Sequence, residues 1–136
     1  MKIHLMKHLL FIIPAFFIVG CSGSDDSNPV NQDDNTINPP AWIQGNWVLE
    51  NNTSYGFRFT SDDLCLKSIG IFTCNKEALE MYNGTNVYTY VDEAISDTEY
   101  SVEITMGSNT TAYEFHKISD TQIECITPIQ AIYTKQ

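Results

Sequence analysis

From Trp42 onward the apolar residues recur mainly at every second position. Tyr55, Phe57 and Phe59 alternate with Gly56, Arg58 and Thr60, and Tyr100, Val102, Ile104 and Met106 alternate with Glu99, Ser101, Glu103 and Thr105. Successive side chains of an extended chain point to opposite faces, so this rhythm predicts half-buried antiparallel strands. Further strands are expected at Asn46–Glu50, Leu64–Ile69, Asn86–Val91, Thr111–Lys117, Gln122–Thr127 and Ala131–Thr134. Turn-forming residues separate them: Asn51-Asn52, Ser61-Asp62, Ser96-Asp97, Gly107-Ser108-Asn109, Ser119-Asp120 and Pro128. Short strands at this spacing predict a barrel or sandwich. One stretch breaks the rhythm. Asn75 to Tyr82 is rich in helix formers, with Asn75 as N-cap, Glu77 in the first turn and Gly84 as a stop. Ala78, Leu79 and Tyr82 share a face that could plug one end of a barrel. The expected fold is all-β: an eight-stranded antiparallel barrel with one short helix between strands three and four.

The N-terminus follows a different pattern. Lys2 and Lys7 precede an apolar run, Leu9 to Val19, which ends in Ile18-Val19-Gly20-Cys21. A basic start, a short greasy run and small residues before a cut are the parts of a secretory signal peptide. The run is about half the roughly 20 residues a membrane span needs, and it contains Pro14. Ile18 to Cys21 resembles the lipobox of bacterial lipoproteins. That resemblance implies cleavage after residue 20, acylation of Cys21 with palmitate-type chains, and anchoring in a lipid bilayer. Residues 1–20 are thus read as the signal peptide. Residues 21–41 are read as the lipidated cysteine and a polar, proline-punctuated tether that buries too little to order itself. Residues 42–136 are read as the folded domain. As a flexible coil of about 20 residues, the tether would hold the domain on the order of 25 Å from the membrane. Asp25-Asp26 shortly after the lipid site resembles the surface-export signal of Bacteroidetes lipoproteins, so the expected location is the outer membrane, with display on the cell surface or, as the alternative, on its periplasmic face.

Charge and cysteines narrow the possible partners. Cleavage removes Lys2 and Lys7 from the seven basic residues, leaving five against seventeen acidic ones, a formal −12. Such a balance argues against nucleic acid, whose phosphates would be repelled, and against an anionic membrane surface. Cys65, Cys74 and Cys125 remain besides Cys21. In an oxidising envelope compartment a disulfide is expected, and Cys65–Cys74 closes the short loop. Cys125 is then a small buried apolar residue.

Gly45-Asn46-Trp47 resembles the Gly-x-Trp that opens the first strand of lipocalins. In that family the tryptophan closes one barrel end and a basic residue on the last strand packs across it. The only arginine, Arg58, is on the second strand, and the last strand offers Lys135. The C-terminal helix of true lipocalins is missing. The domain is therefore similar to the small lipocalin-like lipoproteins of Bacteroidetes.

Little catalytic chemistry is available. His116 is the one histidine left after cleavage, and its strand face is shared with Ala112 and Glu114. No Cys/His spacing suits zinc, and the acidic pairs Asp62-Asp63 and Asp92-Glu93 read as solvated turns. The expectation is no enzyme, no metal and no cofactor. Thirteen aromatic residues follow the cut, seven of them tyrosines. Tyr88 and Tyr90 form an outward patch for glycan or protein if Val87 and Val91 face the core. The leading function is a non-catalytic, outer-membrane-anchored binding module. Trp47, Phe57, Phe59, Tyr100 and Ile104 would line a site for a small apolar or amphipathic ligand. The alternative is a surface interaction protein, or an inhibitor of a secreted enzyme such as lysozyme or a protease. Its probe would be the loop from Ile69 to Asn75.

Overall fold

The computed structural model describes residues 35–136; the expected signal peptide, Cys21 and the tether up to residue 34 lie outside the described residues. Nine strands and one helix follow one another: β1 (Gly45–Leu49), β2 (Asn52–Phe59), β3 (Leu64–Ser68), β4 (Ile71–Cys74), α1 (Asn75–Tyr82), β5 (Thr89–Ile95), β6 (Glu99–Met106), β7 (Asn109–Lys117), β8 (Gln122–Thr127) and β9 (Ala131–Lys135). They form one antiparallel sheet in the spatial order β4, β3, β2, β1, β9, β8, β7, β6, β5. First and last strands pair, with Trp47 opposite Lys135. The sheet ends are β4 and β5, flanking α1 in sequence. The sheet curls into an incomplete barrel: Phe57 on β2 meets Phe115 on β7 at 5.0 Å between ring centres, although three strands lie between them in the sheet.

The all-β barrel architecture matches the alternation, with one strand more than expected and the helix one strand later. The additional strand is β4, within the stretch read as a loop from Ile69 to Asn75. A two-residue turn, Ile69-Gly70, joins it to β3, with Ser68 opposite Ile71. Both turn residues have positive φ, 51° and 80°. That is the type I′ pattern normally announced by Asn-Gly, and a β-branched isoleucine in it gives no turn signal.

The inward faces are as the period-two pattern predicts. Phe57 and Phe59 on β2, and Tyr100, Val102 and Ile104 on β6, join Trp47, Phe115 and Ile123 in one core. The domain also begins earlier than residue 42. Ile37 and Ile43 are fully buried, and residues 35–42 run along edge strand β5 as a strap. The Asn35 side chain donates to the Thr89 hydroxyl, the Asn38 backbone N–H to the Glu93 carboxylate, and the Trp42 indole to the Ser96 carbonyl. One isoleucine amid Asn, Thr and Pro forms no periodic pattern, so composition alone reads this segment as tether.

Asn75 is the first helical residue, not the cap. Cys74 holds the N-cap position and makes no side-chain cap bond. Asp63, from the β2–β3 turn, accepts the N–H groups of both Asn75 and Lys76. It is buried, so this half of the Asp62-Asp63 pair is no solvated turn residue. A cap of this kind contributes about 1 kcal/mol and docks α1 on the barrel, where Leu79 is buried.

Candidate functional site

Strand directions sort the connections into two ends. The β2–β3, β5–β6 and β7–β8 turns gather with the start of β1 at one end; the β1–β2, β3–β4, β6–β7 and β8–β9 turns gather at the other.

The first end is closed. The Trp47 indole donates to the Ile43 carbonyl at 2.6 Å, and the Lys135 ammonium lies 5.1 Å from the centre of its ring. Gly45 makes this possible. A Cβ there would stand 2.7 Å from Lys135 Cε, and the backbone has φ 132°, a region side chains rarely tolerate. Arg58 has a different task on the outer face, where its guanidinium lies 4.3 Å above the Phe72 ring and beside the Cys65–Cys74 disulfide.

The barrel centre is filled by its own side chains. Of the five residues expected to contact ligand, Trp47, Phe59, Tyr100 and Ile104 are at most 2% exposed. Phe59 packs on Phe115 at 5.0 Å and on Tyr100 at 6.2 Å, edge to face. Such ring pairs add about 0.5–1.5 kcal/mol each beyond burial. The Tyr100 hydroxyl donates to Glu93 at 2.7 Å; burial, then that carboxylate, pushes its pKa well up. Rings packed in this way occupy the centre of a small barrel.

Phe57, the fifth residue, is different. It floors a recess of about 270 Å³ at the second end, lined also by Tyr55, Leu66, Tyr113, Cys125, Ile129 and Tyr133. The alternation that places Phe57 inward also places Tyr55 inward, and Leu66 stands directly opposite Phe57 on β3. At the open end these inward residues reach solvent: Tyr55 and Leu66 are each 41% exposed and Ile129 73%. Sequence reasoning missed this mouth because its rim comes from segments far apart in the chain: β2, β3 and the β8–β9 turn. The usable signal was the inward series Tyr55-Phe57-Phe59 continuing past the core.

Cys125 carries a free thiol, buried as expected. Its sulfur donates to the Thr127 carbonyl, and burial pushes the pKa up to about 11. The group is a thiol in neutral solution, not a nucleophile. Asp63, Cys65 and Cys74 cluster closely enough to suggest a metal site. The two sulfurs are joined in the expected disulfide and Asp63 caps α1, so the cluster is structural. His116 bonds Glu114 at 3.0 Å on the outer face.

A second recess, about 380 Å³, lies between the strap and α1, bordered by Asn35, Asn38, Asp62, Lys76, Glu80 and Asn83. It is larger than the mouth, with Ile37 and Leu79 behind a largely polar rim and Lys76 paired to Asp62. On the outer face of β5, Tyr88 and Tyr90 stack at 6.4 Å and are both exposed, while Val91 is buried.

No protein-family model matches the chain, and no curated protein or solved structure is significantly similar to it.

Proposed function

We propose that this chain is an outer-membrane lipoprotein, anchored through acyl chains on Cys21, that acts as a non-catalytic binding module of the lipocalin-like kind. Its site is the mouth recess, and its ligand is a small amphipathic molecule whose apolar part enters the recess. The observation that carries this reading is the mouth itself: an apolar cavity floored by Phe57, with Tyr55, Leu66 and Ile129 exposed around it. The volume is below that of a typical whole-ligand pocket, about 300–1,000 Å³, so one end of the ligand is buried and the rest lies across the rim. The tyrosine hydroxyls lining the mouth offer polar contacts beside apolar rings. Lys135 over Trp47 supports the lipocalin-like element, because it supplies the basic residue that the Gly-x-Trp resemblance calls for.

Native mass spectrometry of protein extracted from its own envelope, before and after organic extraction, tests the reading. An extractable adduct is expected, and Leu66→Trp, which fills the recess, should abolish it. A clean protein mass in the parent would sink the ligand reading.

One feature favours the interaction reading as second choice. The β3–β4 hairpin is pinned at its root by the disulfide, and its tip presents Ile69 and Ile71 at 76% and 71% exposure. Lysozyme inhibition that disappears in Ile69→Asp would promote it.

A further inference from the structure

Most exposed large apolar residues lie toward the mouth; Met81 on α1 and Ile95 and Ile118 at the closed end are the exceptions. Ile69 lies in the β3–β4 turn and Ile71 follows it, and Ile129 tops the β8–β9 turn. Ile129 and Ser68 border the same recess, so these two turns sit side by side at the mouth. The Gly70 N–H bonds the Ser54 carbonyl, tying the hairpin tip to the start of β2. Tyr88 is exposed at the same end, where its backbone carbonyl accepts the Gly107 N–H from the β6–β7 turn.

Charge divides the opposite way. The mouth-end turns are residues 50–51, 69–70, 107–108 and 128–130, and Glu50 is their single charged side chain. The closed-end turns carry Asp62, Asp63, Asp97 and Asp120. The acidity that argues against a membrane partner for the whole chain is therefore nearly absent from this one surface.

The chain also enters the domain at this end. The strap bonds β5 in parallel order, Asn35 to Thr89, Asn38 to Glu93 and Trp42 to Ser96, so Asn35 lies at the mouth and Trp42 at the closed end. Thirteen residues separate Asn35 from Cys21, a span of at most about 50 Å when fully extended.

We propose that the mouth end docks on the bilayer that holds the Cys21 acyl chains, with Ile69, Ile71 and Ile129 inserted at the interface. The proposal rests on the lipid-anchored reading of Cys21. Apolar side chains enter the headgroup boundary when polar neighbours do not oppose them, and Tyr88 has the amphipathic ring that suits that depth. The acidic closed end points away from the lipid. In this orientation the recess opens directly onto acyl chains.

The test uses the full lipidated chain in phosphatidylethanolamine–phosphatidylglycerol vesicles containing dibrominated phosphatidylcholine. One tryptophan reporter at a time is added by Ile129→Trp, with Ile71→Trp as a second mouth reporter, and by Asp120→Trp at the closed end, each read as the difference from the parent, whose Trp42 and Trp47 lie at the closed end. Vesicle flotation is read first. Quenching of the mouth reporters by about half or more, with the Asp120→Trp signal unchanged, is the expected result for side chains seated in the interface. Flotation with unquenched mouth reporters, or equal quenching at both ends, overturns the docking and leaves the anchor standing. A chain that does not float overturns both.

Discussion

Lys135 lies over the face of Trp47 only because residue 45 has no side chain. The ammonium is 5.1 Å from the ring centre, and a Cβ on Gly45 would fall 2.7 Å from Lys135 Cε. Two residues at the start of β1 and one at the end of β9 thus share one steric arrangement that seals the closed end.

Gly45→Ala is expected to cost about 1–3 kcal/mol through overpacking and the positive φ. Lys135→Ala alone should cost about 0.5–1 kcal/mol as the cation–π contact is lost. In the double variant the clash is absent, so the total should be smaller than the sum of the two. Urea denaturation of all four proteins measures this coupling. Strict additivity would show that Lys135 does not occupy the space above Gly45.

Ile69 is the one non-glycine residue with positive φ among the described residues. Holding a β-branched side chain there costs on the order of 1–2 kcal/mol. Ile69→Asn, which makes the turn Asn-Gly, should therefore raise the urea midpoint. The same change should weaken quenching at the mouth, since the strained position is the one that presents an isoleucine to the bilayer. A lowered midpoint would mean that Ile69 is held by packing instead of being strained.

Stability should decline as the medium becomes alkaline. The folded Cys125 thiol keeps its proton to about 11, against an ordinary value of 9.0 for an exposed thiol. Between those limits the unfolded chain binds fewer protons than the folded one, so unfolding gains as pH rises. Below about 9 this contribution is flat. Tyr100, Tyr113 and Tyr133 are shifted upward chiefly by burial and act in the same direction at higher pH. Urea midpoints from neutral to alkaline pH should fall in the parent, and Cys125→Ala should flatten the first part of that fall. An unchanged slope in the variant would remove the thiol from the account.

Much of the barrel was legible because alternation is a local property. Tyr55-Phe57-Phe59 and Tyr100-Val102-Ile104 face inward as their period requires, and the nearby pair Cys65–Cys74 closes as expected. Tyr88 and Tyr90 are exposed for the same reason that Val91 is buried. What stayed hidden depends on contacts between distant segments. Ile37 enters the core only because the strap has an edge strand to lie along. Asp63 becomes a helix cap only because β3 and β4 return α1 to the β2–β3 turn.

The candidate site divides along the same line. By itself the sequence determined an acidic, aromatic-rich β domain with one short helix and an inward face, because period, turn residues and charge are written residue by residue. Only the tertiary structure decided which inward residues are core and which are mouth. Trp47, Phe59, Tyr100 and Ile104 are equally apolar on paper, yet they are sealed inside the packed barrel. Phe57 and Tyr55, two positions apart on one strand, cross from the packed centre to the open rim. The distinction is one of depth along a curled sheet, set by which strands face each other across the barrel. A linear pattern carries direction, inward or outward, but not depth.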